Sequence, residues 1–463
     1  MTFGARIHIA DARVTFRIVR CALAVVALAF MAAHPVWAGA LALVDGRVID
    51  GTGGRPIENA TVLVEDGVIT AVDARDAVAV PEDARIIDAS GKTLMPGLAD
   101  MHVHLVGGWD GVSVDMLGYR RYLNSLLYAG VTTVLDMGNV MPYVIQLRNE
   151  IAAGRLAGPR IYSVGALVDG PDPVWPPIAF TLSSEAQLPG IVDQLAAAGV
   201  DAIKAYKGLS VPQLRALVAQ GKKHELPVLV DFWYRTGSYD AAETGMHGWA
   251  HLPPRRLPDE TVIHAAEQGI HWQTTLAVKE SFAFRRLDDL SFLNIPLILD
   301  TSPPAFLDQL REYAQSPRNA ERLARRIENF DTGMTEAKRL HDAGIMLVAG
   351  TDAPYPGVTL GEGIHRELEL LVEAGLTPLE AIRTATLNAA IHMGDEAEWG
   401  TLAAGKRADI LMIDGRPDET ISDTRNIELV IQRGEVLDRS SLVFDPESDP
   451  GFLPGTAVNA GHF

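Results

Sequence analysis

Two histidines one residue apart, His102 and His104, end the segment that begins at Pro96. Apolar residues surround them, which favours a β-strand, and side chains two positions apart on a strand point to the same face. Two imidazoles on one face can bind the same metal ion. Taken alone, the pair is explained equally well as polar side chains on a solvated strand, so other residues must decide.

Further polar residues stand in or beside later apolar runs. Lys204 lies within residues 202–206, His251 directly follows an apolar pair, and Asp352 lies in a Gly-Thr-Asp turn. Each has an ordinary structural explanation: a lysine reaching water, a core histidine bonded to a carbonyl, or an aspartate capping a helix. Spacing alone favours that explanation for Lys204 and His251. The carboxylate of Asp352 is suited both to bind a metal and to accept a proton.

The central part of the chain, residues 97–396, alternates short β-rich runs with longer helical patterns. Such runs include residues 131–135, 228–230 and 345–349. The alternation predicts parallel βαβ units and an α/β fold. A stretch of this length fits a (β/α)8 barrel, although the periodicity is also compatible with a doubly wound sheet.

The two ends of the mature chain share a different pattern. Residues 41–96 alternate β-rich runs with Asp-Gly turn signals, which predicts antiparallel hairpins, and similar runs return over residues 397–440. We expect the two segments to form one small composite β-sandwich domain. Residues 441–463 are rich in Asp, Pro and Gly and are predicted to be a loosely held tail.

The first 38 residues have the features of an export signal. Arginines precede an apolar run from Cys21 to Ala33, and a small-x-small pattern ends at Ala38. We expect cleavage, a periplasmic or secreted protein and no stable membrane association afterwards; a retained anchor or a core helix is the alternative. Because Cys21 is the only cysteine, the mature chain has no thiolate ligand, and metal ligands must be nitrogen or oxygen.

The composition is that of a globular protein, with 48% hydrophobic and 21% charged residues in a chain of 463. The formal net charge is −19. Such an excess of negative charge disfavours nucleic acid and anionic lipid as partners, which argues against a nucleic-acid-binding protein. The expected partner is a small-molecule substrate, and a homo-oligomer stays open.

Taken together, the motifs resemble the amidohydrolase superfamily, in particular its imidazolonepropionase-like and metal-dependent dipeptidase-like branch. They are the His-x-His strand and residues 130–136, 201–204, 249–251 and 349–354, in this order. The resemblance extends over nearly all of the mature chain, including the split β domain and its closing segment, residues 400–410. It implies a (β/α)8 TIM-type barrel and a hydrolase that depends on a divalent metal.

The resemblance also implies a role for each motif residue. His102, His104 and Asp352 would bind the more buried metal, and His251 would hold a second one. Lys204 would be a carboxylated lysine bridging both, since burial favours the neutral amine that takes up carbon dioxide. Metal-activated hydroxide would attack an acyl carbon, with Asp352 as general base and then general acid. Six histidines outside the motifs are interpreted as structural or solvated: His224, His247, His271, His341, His365 and His392.

One position departs from the family pattern. Relatives usually carry a histidine on the fifth barrel strand, and by count Asp231 takes its place. A carboxylate can bind zinc or manganese, so a modified two-metal site, a single-metal site and a degenerate site all stay open. Aromatic residues follow Asp231, and we expect Tyr206 and Tyr234 to contact the substrate, although packing explains such residues as readily.

The predicted function is hydrolysis of a carbon-nitrogen bond in an amide, a cyclic amide or a dipeptide. Ester or phosphotriester hydrolysis on the same barrel is one alternative. A catalytically silent exported binding protein is another. The expected cofactor is a divalent metal, with zinc as the first choice and one or two ions per chain. Residues 107–115 and 168–181 are predicted to lie at the barrel mouth, where substrate choice is decided.

Overall fold

The structure, a computed structural model, describes residues 39–108, 113–231 and 238–449. The predicted export signal, Tyr234 and the last part of the predicted tail lie outside the described residues. Among the described residues, no helix combines the length and the apolar character that crossing a membrane requires.

Eighteen strands are present in the described part of the chain. They are β1 (Leu41–Val48), β2 (Ile57–Glu65), β3 (Val68–Ala74), β4 (Arg85–Asp88), β5 (Thr93–Pro96), β6 (Leu98–Val103), β7 (Val131–Asp136), β8 (Arg160–Ser163), β9 (Leu167–Asp169), β10 (Ala179–Thr181), β11 (Ile203–Ala205), β12 (Val228–Asp231), β13 (Gly248–Ala250), β14 (His271–Gln273), β15 (Leu347–Val348), β16 (Ile410–Ile413), β17 (Ile427–Gln432) and β18 (Glu435–Val436).

The described α-helices occupy the connections between the central strands. They are α1 (Tyr119–Tyr128), α2 (Met141–Ala152), α3 (Leu188–Ala198), α4 (Val211–Lys223), α5 (Ser238–Ala242), α6 (Asp259–Glu267), α7 (Leu276–Phe282), α8 (Pro296–Leu299), α9 (Pro304–Ala314), α10 (Ala320–Asp342), α11 (Glu362–Glu373), α12 (Pro378–Thr384) and α13 (Leu387–Met393). Local sequence determines several of their starts. Ser210 and Thr377, for example, form capping boxes at α4 and α12.

Strands from both chain ends make one composite β domain. They hydrogen-bond in the order β18-β17-β16-β5-β1-β2-β3, and β4 also pairs with β1. The antiparallel pairing of β5 with β16 joins the two ends, for example through Met95 opposite Leu411. Apolar residues of both segments, including Leu43, Val62 and Ile410, share one core. The composite β domain predicted from the sequence is therefore present.

Eight parallel strands form the barrel. β6, β7 and β8 pair in one sheet, while β11 to β15 pair successively in another. Backbone hydrogen bonds close both gaps: Asp201 N donates to Ser163 O at 2.8 Å, and Met101 N donates to Ala349 O at 3.0 Å. Two extra strands extend the second sheet: β9 pairs parallel with β11, and β10 pairs parallel with β9. The choice between a barrel and a doubly wound sheet, which periodicity left open, is decided for the barrel.

Candidate metal centre

The predicted metal ligands lie at or near the carboxyl ends of barrel strands. A closed parallel barrel presents these ends on one face, which is where the active sites of such barrels are found. Residues as distant in sequence as His104 and Asp352, 248 positions apart, therefore meet. In chain order the residues are His102 and His104 at β6, Lys204 in β11, Asp231 at the end of β12, His251 after β13 and Asp352 after β15.

One group of ligand atoms surrounds Asp352 Oδ1. His104 Nε2 lies 3.1 Å and His102 Nε2 lies 3.3 Å from this oxygen. The other ring nitrogens bond elsewhere: His102 Nδ1 is 3.0 Å from Gln273 Oε1, and His104 Nδ1 is 2.9 Å from Gly138 O. Metal-binding histidines typically donate their second N–H in this way, which leaves Nε2 free to bind.

A second group surrounds Asp231. Lys204 Nζ lies 3.6 Å and His251 Nε2 lies 3.4 Å from Asp231 Oδ2. The two groups adjoin, because Lys204 Nζ is also 3.2 Å from His102 Nε2, and the ring centroids of His102 and His251 are 4.5 Å apart. Asp231 thus lies among the other predicted ligands, at the position that the count along the chain assigned to it.

The surroundings of Asp231 fit a bound cation. Both of its oxygens are buried, and neither accepts a hydrogen bond from any residue that the structure describes. A buried carboxylate in this state is costly unless positive charge compensates it. Imidazole nitrogens and carboxylate oxygens are ligands that zinc and similar ions accept. The residues present therefore fit a divalent metal ion.

The backbone places these side chains at a cost. Asp352 and His251 have φ angles of 62° and 67°. This left-handed region is uncommon for residues other than glycine, and strained conformations of this kind cost about 1–3 kcal/mol each and concentrate at functional sites. Gly350 lies against His102, since a Cβ at position 350 would come within 2.7 Å of His102 Cβ.

A buried carboxylate, Asp136 at the end of β7, supports His104. It accepts hydrogen bonds from Leu105 N at 2.9 Å and Asn139 Nδ2 at 2.7 Å. It also accepts one from Gly138 N at 3.3 Å, and the carbonyl of Gly138 holds His104 Nδ1. Asp136 therefore fixes the loop that orients His104.

A second buried carboxylate, Glu367 in α11, supports His251. It accepts hydrogen bonds from Leu276 N at 2.9 Å and Ala277 N at 2.7 Å, at the start of α7. Thr275 immediately precedes this helix, and its hydroxyl lies 2.8 Å from His251 Nδ1. Glu367 therefore holds the turn that orients His251.

Burial and nearby charge determine the protonation of the centre. Burial lowers the pKa of His102 well below its ordinary value, and Lys204 adds to this effect, so His102 is in the neutral form that binds metals. Burial alone would raise the pKa of Asp352. His251, His104 and Lys204 outweigh it and hold the pKa of Asp352 below its ordinary value. Asp352 is therefore ionised at neutral pH.

A cleft with mainly apolar walls opens onto the centre. His104, Lys204, His251 and Asp352 contribute to its lining. Tyr206 also lines it, and its hydroxyl accepts a hydrogen bond from Trp175 Nε1 at 3.0 Å. Its contact with a substrate stays a prediction. Among the described lining residues, Lys204 is the only lysine or arginine. The apolar lining residues are Val106, Val114, Leu167, Trp175, Pro177, Ile178, Pro354 and Tyr355.

Sequence reasoning missed several residues that support the centre. Gln273 contacts His102 from β14, Thr275 contacts His251, and Trp175 contacts Tyr206. For Gln273 a signal was available, because His271 and Gln273 are two positions apart on a strand, as His102 and His104 are. For Thr275 and Trp175, which lie in loops, no pattern of spacing marks them.

Comparison with known proteins agrees with this geometry. The family model described as "Amidohydrolase family" matches residues 93–437, which include the whole barrel and all six candidate ligands. The chain belongs to the amidohydrolase family. The resemblance inferred from the motifs and the α/β barrel class are thereby confirmed.

Individual relatives are distant. Enamidase of Eubacterium barkeri is 37% identical over 98 residues, which are 20% of this chain and 24% of the enamidase. Imidazolonepropionase of Geobacillus kaustophilus is 26% identical over 77% of this chain and 84% of its own. The solved structure of molinate hydrolase, 24% identical, covers 91% of this chain and 98% of its own with a TM-score of 0.68. This chain spans only 20% to 60% of the length of four curated relatives. Three of them are adenine deaminases, and the fourth is the enamidase.

Proposed function

We propose that this protein is a hydrolase that uses a divalent metal to cleave a carbon-nitrogen bond in a small molecule. The observation that carries the proposal is that three histidines, two carboxylates and Lys204 converge at one end of the barrel. Both oxygens of Asp231 are buried there and accept no hydrogen bond from the described residues. A structural cluster would satisfy its own buried carboxylate, whereas a metal centre leaves lone pairs for the ion.

The side chains divide the chemistry between them. His102, His104 and Asp352 would hold the first metal, which when bound supplies Lewis acidity to the acyl oxygen and acidity to water. Asp352 directs Oδ1 to the two histidines, and Oδ2, which is 4.0 Å from His251 Nδ1, remains for proton transfer. As an ionised carboxylate facing the cleft, Asp352 takes a proton from the attacking water and returns it to the leaving nitrogen.

Whether one or two metal ions bind depends on the second group of ligands, which surrounds Asp231. Asp231 and His251 would hold a second ion in place of the usual histidine pair, with Lys204 between the two groups. A carboxylated Lys204 would supply an oxygen ligand at the point where the two groups adjoin. We propose zinc as the metal and two ions per chain under conditions that supply carbon dioxide.

The cleft indicates the kind of substrate. Its described walls are apolar and aromatic, and the polar groups are those of the centre itself together with the hydroxyls of Ser113 and the two lining tyrosines. Apolar walls with a few placed polar groups are typical of sites for small organic molecules. We propose an amide or cyclic amide whose group beside the scissile bond is uncharged and apolar.

Activity measurements on matched substrates test this proposal. Wild-type protein loaded with zinc is assayed with an amide, a cyclic amide, a dipeptide, an ester and a phosphotriester that share one apolar group. We expect turnover of the amide or cyclic amide, its loss after chelation and its return with zinc. Turnover of the esters alone would assign the protein to the esterase or phosphotriesterase class. Zinc binding with no turnover of any substrate would favour the silent binding protein.

We also propose that residues 1–38 are an export signal and that the mature protein starts near Gly39. The support is the arrangement of arginines, apolar run and small-x-small pattern in the sequence. Amino-terminal sequencing of the protein from the periplasm or the medium tests it. Recovery only in the cytoplasm or the membrane with an intact amino terminus would refute export.

A further inference from the structure

Three histidines that the proposed function does not use meet on the barrel away from the metal centre. His247 immediately precedes β13, His271 is the first residue of β14, and His392 lies in α13. Their ring centroids are 4.6 to 5.4 Å apart. Because His247 and His271 lie at the amino-terminal ends of strands, the cluster lies toward the opposite end of the barrel from the metal centre. The sequence alone had suggested only structural or solvated roles for them.

A single buried side chain, Gln273, connects this cluster to the metal centre. Its Oε1 is 3.0 Å from His102 Nδ1, and its Nε2 is 3.2 Å from His392 Nε2. The other nitrogen of His392, Nδ1, is 3.2 Å from His271 Nδ1. Gln273 and His102 are fully buried and His392 is nearly so, so water cannot replace these contacts. The contacts form an unbroken chain from His102 to His271.

Which nitrogen carries each proton in this chain follows from which nitrogen of His102 would bind the metal. Its Nε2 faces Asp352 and Lys204, so Nε2 must be unprotonated to bind a metal, and the ring proton must lie on Nδ1. An Nδ1–H needs an acceptor, and among the described residues the amide oxygen of Gln273 supplies it. The amide NH2 of Gln273 then points to His392 and requires an acceptor there.

The same reasoning continues through His392. Its Nε2 accepts from Gln273, so the proton of the neutral ring lies on Nδ1 and is donated to His271 Nδ1. Burial lowers the pKa of His392 well below its ordinary value and that of His271 to about 4, which agrees with neutral rings at both positions. Every contact in the chain thus has one donor and one acceptor, with no conflict.

We propose that Gln273, His392 and His271 form a hydrogen-bonded relay that fixes the tautomer and ring orientation of His102 for metal binding. They are positioning residues, and the inference rests on the proposed role of His102 as a metal ligand. The carboxylate or carbonyl that usually orients a metal-binding histidine is replaced here by an amide, which must itself be oriented. His392 orients it by accepting its N–H, and His271 in turn accepts the Nδ1–H of His392.

A metal ion bound by the three-histidine cluster is the competing interpretation. It would require His392 Nδ1 as a ligand while His392 Nε2 still accepts from Gln273, which leaves the neutral ring no place for its proton. His247 separates the two interpretations. Its Nε2 donates to the carbonyl oxygen of His392 at 2.8 Å, so its ring takes no part in the relay although it belongs to the cluster.

Zinc affinity, measured by competition with a chromophoric chelator, tests the relay with three variants. Gln273→Met keeps the length and loses the hydrogen bonds to His102 and His392, together with the contact of Nε2 with Met137 Sδ at 3.8 Å. We expect zinc binding to weaken about 10- to 100-fold, as is usual when the partner of a metal-binding histidine is changed. Gln273→Glu still accepts from His102 Nδ1–H and should bind zinc much as the wild type does. His247→Phe, the matched control, should leave affinity and stoichiometry unchanged.

The protons can be observed directly in the wild type. In zinc-loaded protein labelled with 15N-histidine, His392, assigned by its loss in His392→Gln, should carry its proton on Nδ1. In Gln273→Glu, whose carboxylate only accepts, the proton of His392 should move to Nε2. If Gln273 had only a structural role, the proton of His392 would not need to move from Nδ1 to Nε2. The wild-type spectrum tests the relay even if Gln273→Met fails to fold.

Several outcomes would overturn the relay. One is that folded Gln273→Met binds zinc as tightly as the wild type. Another is that His392 carries its proton on Nε2 in the zinc-loaded wild type. A third is that the wild type binds an additional zinc equivalent that His247→Phe does not bind. The last would establish the cluster as a metal site. Failure of the wild type to bind any zinc would overturn the proposed function together with the relay, and is thereby distinguished from failure of the relay alone.

Discussion

At the scale of single residues, the metal centre depends on the charge and hydrogen bonding of a few side chains. Asp352 is held ionised by its neighbours, and Asp231 is held without hydrogen bonds from the described residues. The first arrangement favours proton transfer and the second favours cation binding. The two aspartates therefore differ in what their substitution should do.

Asp352→Asn should abolish turnover while the fold survives. The amide keeps the size of the side chain but cannot accept a proton from water, and general base catalysis of this kind contributes about 10²- to 10⁴-fold. Steady-state kinetics on the best substrate at saturating zinc measures the loss, with circular dichroism as the control for the fold. An undiminished kcat would remove Asp352 from the mechanism.

Asp231→His should retain or raise zinc occupancy. Imidazole restores the ligand type that the family resemblance implies for this strand, and neutral imidazole ends the burial of a carboxylate without hydrogen bonds from the described residues. Asp231→Leu, which provides no ligand atom, is the control and should lose zinc. Elemental mass spectrometry gives the zinc content per chain. Equal zinc content in the histidine and leucine variants would mean that residue 231 is not a ligand.

At the scale of elements, the ends of strands and the loops after them carry the site. Gly350, just before the Thr-Asp turn, allows the backbone after β15 to approach His102. Asp136 and Glu367 hold the loops beside His104 and His251. These contacts join elements that are distant in sequence, so each strand end is positioned by its neighbour in the barrel.

Gly350→Ala should destabilise the protein by about 1–3 kcal/mol, the usual cost of overpacking, and should weaken zinc binding. The new Cβ would lie within 2.7 Å of His102 Cβ and must displace the ligand strand. Denaturant unfolding and zinc competition measure the two effects. Gly190→Ala is the matched control, because a Cβ there meets nothing within 4 Å and alanine favours its helix. Equal behaviour of both variants would contradict the argument.

A buried ion-pair group holds α11 to the segment before β17. Glu362 accepts from Arg286 Nη2 at 2.7 Å and from Arg425 Nη2 at 3.0 Å. Burial alone would raise the pKa of Glu362, but the two arginines outweigh it and lower the pKa from 4.5 to about 2. Because the folded-state pKa is the lower one, this stabilisation is present above pH 4.5 and is lost as the pH falls toward 2.

Glu362→Gln should therefore lower the free energy of unfolding by roughly 3 kcal/mol at pH 7 and by less at pH 3. Urea denaturation at the two pH values gives the difference from the wild type. Glu321→Gln removes an exposed pair with Arg325 and should change stability little at either pH. A Glu362→Gln effect that is the same at both pH values would show that ionisation of Glu362 is not its source.

At the scale of the whole molecule, we expect the proposed metal binding to be coupled to folding through the barrel. The candidate ligands come from five of its eight strands, so an ion bound there stabilises the closed barrel only when those strands are in place. The composite β domain also joins distant parts of the chain, because the pairing of β5 with β16 brings the two ends of the mature chain together.

Removal of metal should lower the melting temperature. A ligand present at a thousand times its Kd stabilises the folded state by about 4 kcal/mol, and the effect rises with its concentration. Thermal unfolding in chelator and in increasing zinc measures the shift. Asp352→Asn, with a weakened ligand set, should show a smaller zinc-dependent shift. A melting temperature independent of zinc in the wild type would contradict coupling of the centre to the fold.

The sequence by itself determined the elements and most of the candidate ligands. Period-two spacing placed His102 and His104 on one face, the alternation of strands and helices indicated an α/β fold, and turn signals marked both parts of the β domain. These features follow from local geometry, which depends on residues that are neighbours in the chain. The family resemblance added Lys204, His251 and Asp352 because their motifs occur in the expected order.

Only the tertiary structure decided how these residues meet. Three features depend on contacts between segments that are far apart in sequence. They are the closure of the barrel, the lack of hydrogen bonds from described residues to Asp231, and the chain of contacts through Gln273 from His102 to His271. Spacing along a strand gives the face of a side chain but not what lies opposite it. The partner of each ligand, and with it the charge and proton positions of the centre, is therefore set by the packing of the whole barrel.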